Sequence, residues 1–116
     1  MKILNTPIFQ MPAEDKNFTG PERSFFLYAI REEEICIGNV AAIIERNADN
    51  RARILHEIAE WFRIEIVETR LPDVEKIDCV PYREILSDAI YNIDHFKIAE
   101  EILSQYEENI NKVKAA

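Results

Sequence analysis

The spacing of apolar residues predicts that most of the chain is helical. A capping box opens the first segment, because Thr19 can cap a helix and Glu22 follows three residues later, with Pro21 in the first turn. Beyond it, apolar residues recur three and four positions apart, as on one face of a helix. The helices that this spacing predicts are Pro21 to Arg31 and Glu33 to Arg46, or one helix over both, one after the polar break 47–50 that ends near Phe62, one beginning at Pro81, and one near His95 to Lys112.

Parts of the pattern also fit β-structure. Residues 25–30 and 35–40 could pair as a hairpin that turns at the glutamates between them. Apolar and charged residues alternate from Arg63 to Glu68, which predicts a short strand followed by a loop that reaches Val80, and a second short strand is expected at Lys2 to Leu4. We therefore expect a mainly α single domain, a bundle of four to five helices with a short β element, the alternative being α+β.

The same pattern divides the domain and predicts its core. Residues 1–20, with two prolines and scattered apolar side chains, are expected to form an extended arm, and residues 21–116 the helical core. Both cysteines are flanked by apolar residues and are expected to be buried reduced thiols. The side chains predicted to face inward from the last two helices are Ile85, Leu86, Ala89 and Ile90, and then Phe96, Ile98 or Ala99, Ile102, Leu103, Tyr106 and Ile110.

Composition narrows the class of protein. With 116 residues, 47% of them hydrophobic, the chain is too apolar for intrinsic disorder and has the length of one domain. Its longest apolar runs fall far short of the roughly 20 residues that span a bilayer, and its start lacks the apolar region of a secretory signal. Two glycines are too few for a phosphate-binding loop. We expect a cytoplasmic protein, with no membrane association and no cofactor.

The net charge of −8 is unevenly distributed. Residues 51–83 are close to neutral, whereas residues 84–111 hold seven acids against Lys97 alone, a net charge of −6. Such a chain repels phosphates, so direct nucleic-acid binding is not expected, while an anionic ridge can dock on a basic protein surface. The residues predicted to form this acidic ridge are Glu84, Asp88, Asp94, Glu100, Glu101, Glu107 and Glu108.

One string of residues partly matches a metalloprotease motif. In H-E-x-x-H, two histidines on one helix face bind zinc and the glutamate acts as a base. Here His56 and Glu57 are followed by Glu60 in place of the second histidine, and the other histidine, His95, is distant in sequence. An exposed helix face with His56 and Glu60 paired is the simpler interpretation.

A second arrangement of acids suggests Mg²⁺ chemistry. Glu57 and Glu60 on one helix, with Glu84 and Asp88 on the next, are similar to the E-x-x-E and E-x-x-D pairs of all-α nucleoside-triphosphate pyrophosphohydrolases. The likeness covers about a third of the chain and departs at Ile85, where that family has a glutamate. It implies an alternative function, a Mg²⁺-dependent nucleotide hydrolase using Glu57, Glu60, Glu84 and Asp88 as metal ligands.

The leading hypothesis is non-enzymatic. A small acidic interaction or inhibitor module would use the acidic ridge to engage a basic partner, for example a nucleic-acid-binding protein, as anti-defence proteins of phages and mobile elements do as a class. Self-association through the Phe25 to Ile44 helices would make it a homo-oligomer.

Overall fold

The structure, a computed structural model, describes residues 9–13, 17–65 and 73–115, with side chains as far as residue 110. Within these ranges the chain forms five helices and a short helical turn at 73–75, and it contains no strand, which confirms the mainly α expectation. The helices are α1 (Gly20–Arg31), α2 (Glu33–Arg46), α3 (Arg51–Arg63), α4 (Val80–Tyr91) and α5 (His95–Ala115).

The β-alternatives are wrong wherever the structure describes them. Residues 25–40 belong to α1 and α2, which meet at Glu32. After α3, residues 64–65 continue as a π-helical turn, and the backbone N–H of Ile64 still donates to the carbonyls of Glu60 and Trp61. The expected loop before Val80 contains the helical turn at 73–75. Residues 66–68 and the expected strand at Lys2 to Leu4 lie outside the described residues.

The core forms where α3 packs along α5, with α1 and α2 closing its sides. Cys36 of α2 is buried there, as expected, and so is Phe62 at the end of α3. Trp61 and Tyr106 lie partly buried against the same core. The fully buried side chains of largest volume are Phe9, Phe26, Phe62, Ile58, Ile98, Ile102 and Leu103, which are contributed by α1, α3, α5 and the segment before α1.

Polar side chains fix where three of these helices begin. The predicted capping box of α1 is present, with Thr19 Oγ1 accepting from the backbone N–H of Glu22 at 3.2 Å. Asn50 caps α3 by accepting from the N–H of Arg53 at 3.2 Å, and Asp94 caps α5 by accepting from the N–H of Lys97 at 3.0 Å. Each cap satisfies a backbone donor that has no partner inside its own helix.

The carboxylate of Glu22 joins the start of α1 to the start of α5. Glu22 is only 2% exposed. Its Oε1 accepts from the backbone N–H of Thr19 at 3.0 Å and from Lys97 Nζ at 2.6 Å, and its Oε2 accepts from the N–H of Asp94 at 2.9 Å. Burial acts to raise the pKa of Glu22, but the hydrogen bonds from Lys97, Thr19 and Asp94 outweigh it and hold the pKa below its ordinary value.

The segment before α1 is attached to the helices at three points. Phe9 is fully buried, and its N–H donates to Glu33 Oε1 at 3.2 Å. The backbone of Gln10 exchanges two hydrogen bonds with the side-chain amide of Gln105 on α5, each 2.9 Å long. Arg23 donates to the carbonyl of Pro12 at 3.0 Å. Residues 9–13 form no helix or strand, and these contacts make them part of the packed domain.

Helix α4 contributes little to the core, and several burial expectations there are wrong. Only Ile90 of this helix is buried, against Phe25 and Val74. Ile85 and Leu86, predicted to face inward, are exposed, and so are Phe96 at the start of α5 and Cys79 just before α4. Of the four residues predicted to face inward from α4, Ile90 is therefore buried and Ala89 is partly buried, whereas Ile85 and Leu86 are exposed.

Replacing Glu22 with glutamine tests the link between α1 and α5. The glutamine amide would lose the ion pair with Lys97 and add a donor where three donors already converge, so Glu22→Gln should lower the free energy of unfolding by about 1–3 kcal/mol at neutral pH. Because the pKa of Glu22 is depressed in the folded state, its stabilising effect is present above the ordinary value of 4.5 and is lost as the pH falls through the folded pKa. Urea unfolding at several pH values should show the two proteins converging in acid. If the two proteins differed by the same free energy of unfolding at all pH values, the ionised carboxylate of Glu22 would not be the source of the stability. The exposed Glu32→Gln serves as the control.

Replacing Phe9 tests whether residues 9–13 are part of the fold. Phe9→Ala removes a fully buried aromatic side chain and should cost about 3–5 kcal/mol in chemical unfolding. Gln10→Ala is the matched control, because the two hydrogen bonds of Gln10 use its backbone and its side chain is exposed, so a change within about 0.5 kcal/mol is expected. Similar small effects of both variants would show that the arm is not docked.

Candidate functional site

The acids of α5 lie mostly on its outward side. At 100° per residue, Glu100, Glu101, Glu107 and Glu108 fall within one third of the helix circumference, opposite the core side chains Ile98, Ala99, Ile102 and Leu103. The structure therefore places these four residues on one face of α5. Glu100 and Glu108 are exposed, and Glu101 and Glu107 are partly buried.

Three of the predicted ridge residues are already engaged within the chain. Both carboxylate oxygens of Glu107 accept from Nη1 of Arg51 on α3, at 2.9 and 2.8 Å. Glu101 accepts from Gln105 Nε2 at 2.9 Å. Asp94 caps α5, so its carboxylate has a structural role. These contacts reduce the negative charge that α5 can offer to a partner.

The two ridge residues of α4 are in a different situation. Glu84 and Asp88 are exposed and lie four residues apart on the same side of the helix, and their carboxylates make no hydrogen bond or ion pair within the described chain. The cation of this helix, Arg83, is turned toward the preceding turn, where its Nη1 donates to the carbonyl of Ile77 at 3.5 Å. We call Glu84 and Asp88 the acidic edge of α4.

Beside the acidic edge runs a row of exposed apolar side chains. Tyr82, Ile85 and Leu86 are 67%, 64% and 42% exposed, and Ala89 is partly exposed in line with them. Their positions i, i+3, i+4 and i+7 form one continuous row over two turns of helix. Ile85 and Asp88 are neighbours at i and i+3, so the carboxylate of Asp88 borders the row, and Glu84 lies one turn before Asp88 and further around the helix on the same side. We call Tyr82, Ile85, Leu86 and Ala89 the α4 stripe.

The sequence predicted Ile85, Leu86 and Ala89 as core residues together with Ile90, and it did not single out Tyr82. The periodicity of Ile85, Leu86 and Ala89 is that of a helix face that becomes buried. A single sequence shows the face without showing whether another element of the chain covers it. In the structure, Ile90 is buried next to the exposed Leu86, and Ile85 lies about 140° around the helix from Ile90.

The carboxylate of Glu57 is bound by cations and an amide at the turn between α2 and α3. Its Oε1 accepts from Arg46 Nη2 at 2.7 Å, its Oε2 accepts from Asn47 Nδ2 at 2.6 Å, and Arg53 Nε lies 3.5 Å away. The hydrogen bonds from Arg46 and Asn47 hold the pKa of Glu57 below its ordinary value. Because both oxygens are occupied, this carboxylate serves to join the two helices.

Glu60 is paired in the same way. It accepts two hydrogen bonds from Arg63, at 3.3 and 3.1 Å, and these hold its pKa below the ordinary value. The expected pairing of Glu60 with His56 is absent, and His56 is exposed. Within the described residues, no three or more His, Cys, Asp or Glu side chains lie close enough together to hold a metal ion. The structure therefore does not bring Glu57 and Glu60 together with Glu84 and Asp88.

Neither the buried thiol of Cys36 nor the groove beside α5 has the features of a reactive or ligand-binding site. Burial raises the pKa of the Cys36 thiol to about 12, and Glu33 adds to this, so Cys36 stays protonated and unreactive. A groove of about 330 Å³ beside α5 is lined by Arg51 and Lys97 together with Glu100 and Glu101. Its two cations are already paired, with Glu107 and Glu22 respectively. The groove therefore has no preference for an anionic ligand.

Comparison with known proteins gives no match to a protein-family model, a curated protein or a solved structure. Among the described helices, none is both long enough and apolar enough to cross a membrane. The fold thus defines a small all-α domain, and its surface chemistry is the remaining guide to function.

The metal-binding alternative has a direct test at Glu57. If its carboxylate joins α2 to α3, Glu57→Gln should lower the melting temperature, and millimolar Mg²⁺ should leave the melting temperature of both the original protein and the variant unchanged, as followed by differential scanning fluorimetry. Glu45→Gln, an exposed change on α2, is the control. A rise in melting temperature with Mg²⁺ that Glu57→Gln abolishes would instead support the nucleotide-hydrolase alternative.

Proposed function

We propose that this protein is a non-enzymatic interaction module that binds a basic protein partner through α4 and the neighbouring acids of α5. The observation that carries this proposal is the acidic edge of α4, where Glu84 and Asp88 are exposed and make no ion pair within the described chain. Elsewhere the acids Glu22, Glu57, Glu60 and Glu107 are each held by an arginine or lysine.

The contrast between these two groups of acids supports a role in binding. An acid paired inside the fold has its charge largely neutralised, whereas an exposed acid without a partner contributes to the field that an approaching protein meets. Residues 84–111 carry a net charge of −6, so the field around α4 and α5 attracts cations. Complementary charge of this kind speeds association and selects the partner more than it adds affinity.

The same chemistry limits the class of partner. A protein that binds nucleic acid presents clustered lysines and arginines, so it fits the acidic edge and is the partner class that we favour. By occupying such a surface, the module would act as an inhibitor, as in the anti-defence role suggested by the sequence. Cys36 and Cys79 are both free thiols, which favours a reducing compartment such as the cytoplasm.

Self-association through α1 and α2 has less support. The large apolar residues of this segment, Phe26, Val40 and Ile43 among them, are used in the core of the same chain. Of the described side chains in α1 and α2, Leu27 and Ile35 are the large apolar ones that remain exposed. We therefore propose that the partner is a different protein and that this segment serves mainly to build the domain.

Charge reversal at the acidic edge tests the proposed function. The double variant Glu84→Lys/Asp88→Lys should lose capture of partner proteins from a host lysate, measured by quantitative mass spectrometry at low salt, because the field at α4 changes sign. Glu32→Lys/Glu45→Lys makes the same change in net charge on exposed acids of another part of the fold and should retain capture. Equal capture by both variants would show that total charge, and not this surface, determines binding.

Adding Glu100→Lys extends the test to α5. Glu100 is the exposed α5 acid with no partner inside the described chain, so its reversal should weaken capture further, whereas Glu107→Lys should mainly break the contact with Arg51 and lower the melting temperature. If Glu107→Lys abolished capture without loss of stability, the binding surface would lie on the outward face of α5.

A further inference from the structure

We propose that the α4 stripe binds an amphipathic α-helix of the partner, with leucine-like side chains on the stripe and lysine or arginine beside the acidic edge. This inference rests on the proposed function and specifies the chemistry of the partner. The stripe, Tyr82, Ile85, Leu86 and Ala89, offers apolar contact, and Glu84 and Asp88 offer two carboxylates on one side of it.

The geometry of the stripe favours a helix over a flat surface. A row at i, i+3, i+4 and i+7 forms the ridge that another helix accepts between its own side chains, and the alanine at its end allows close approach of the two backbones. Recognition of an amphipathic helix by an apolar surface depends on anchors with this same spacing. The row spans about 10 Å along α4, the length that two turns of a partner helix can cover.

The charges beside the stripe determine which charge the partner helix must carry. Glu84 and Asp88 both lie on the side next to Ile85, and the cation of α4, Arg83, is directed to the carbonyl of Ile77. A partner helix with lysine or arginine next to its apolar row would therefore meet two carboxylates and no opposing cation of α4. An acidic partner helix would meet repulsion at the same positions.

The same charges argue against a second copy of this chain as the occupant. In a twofold symmetric pair, the same patch faces itself, so the acidic edges would approach each other across two stripes. The pair would also bring together two chains of charge −8. A stripe of two turns buries too little area to offset this repulsion in a stable dimer, although it suits a transient complex.

The position of α4 in the fold makes the stripe accessible. The helix is held by Ile90 against Phe25 and Val74, and Ile85 of the stripe lies about 140° around the helix from Ile90. A substitution in the stripe should therefore leave the core intact. Ile85 is 64% exposed, and Ile35 on α2 is 52% exposed, so a substitution of Ile35 is a matched control outside the stripe.

The inference can be tested with designed peptides on the intact protein. The probe is a fluorescent helix of about 14 residues made of leucine and lysine, with leucine on one face, and the control has the same composition in an order that is not amphipathic. Fluorescence anisotropy should show the amphipathic peptide binding at least about tenfold more tightly than the scrambled peptide. Ile85→Ser should remove most of this preference, and Ile35→Ser should retain it.

The acidic edge is tested with the same probe. Glu84→Gln/Asp88→Asn should weaken binding of the amphipathic lysine peptide several-fold at low salt and reduce its dependence on salt concentration, because fewer charges are paired. Glu32→Gln/Glu45→Gln should have little effect. A peptide in which glutamate replaces every lysine should bind more weakly than the lysine peptide to the original protein.

Four outcomes would overturn the inference, and one of them would leave the proposed function intact. Equal binding of the amphipathic and scrambled peptides, weakened equally by Glu84→Gln/Asp88→Asn, would retain an acidic interaction surface but remove the helix-docking role. No binding of either lysine peptide would contradict both. A melting temperature lowered by several degrees in Ile85→Ser, but not in Ile35→Ser, would show that this chain covers its own stripe. A dimer in light scattering that Ile85→Ser dissociates would show that a second copy does.

Discussion

The buried carboxylate of Glu22 is the interaction on which the rest of the structure depends. It accepts hydrogen bonds from the backbone of Thr19, the backbone of Asp94 and the ammonium group of Lys97, so one side chain fixes where α1 and α5 begin relative to each other. A buried charge is tolerated only when its partners are well placed, and this requirement orients both helices. Once α5 is positioned, its apolar face lies against α3 and the core can close.

Most of the packing contacts of the domain lie away from α4. Helices α1, α2, α3 and α5 share the core, together with the docked residues 9–13, whereas α4 is attached mainly through Ile90. His95 lies at the same junction as Glu22. Burial and the nearby Arg63 lower the pKa of His95, and its Nε2 is buried without a hydrogen-bond partner among the residues that the structure describes. Protonation of either group in acid thus weakens the junction, while the exposed surface of α4 can change without cost to the core.

The local features of the fold could be predicted from the sequence. The capping box at Thr19 and the polar turn before Arg51 are confirmed, because each depends on residues close together in the chain. Whether one or two helices follow Pro21 stayed open in the sequence, and the structure shows two that meet at Glu32. The strand expected from Arg63 is wrong over its described part, since three alternating residues do not distinguish a strand from the end of a helix. The pairing of Glu57 with Arg46 and of Glu107 with Arg51 also could not be predicted, because it depends on how separate helices meet. The distribution of charge along the sequence located the acidic region at residues 84–111. The structure was needed to show which of its acids have partners within the chain and that the carboxylates of Glu84 and Asp88 have none among the described residues.

The exposed stripe of α4 and the acids beside it are best understood together. An apolar row at helical spacing would promote self-association if it lay on a neutral surface. Carboxylates next to Ile85 oppose the approach of an identical surface, yet they attract a surface of opposite charge. Both effects arise from the same two residues, Glu84 and Asp88. In the complex that we propose, the stripe would supply contact area and the acidic edge would select the partner, so the negative charge of the chain would contribute to specificity.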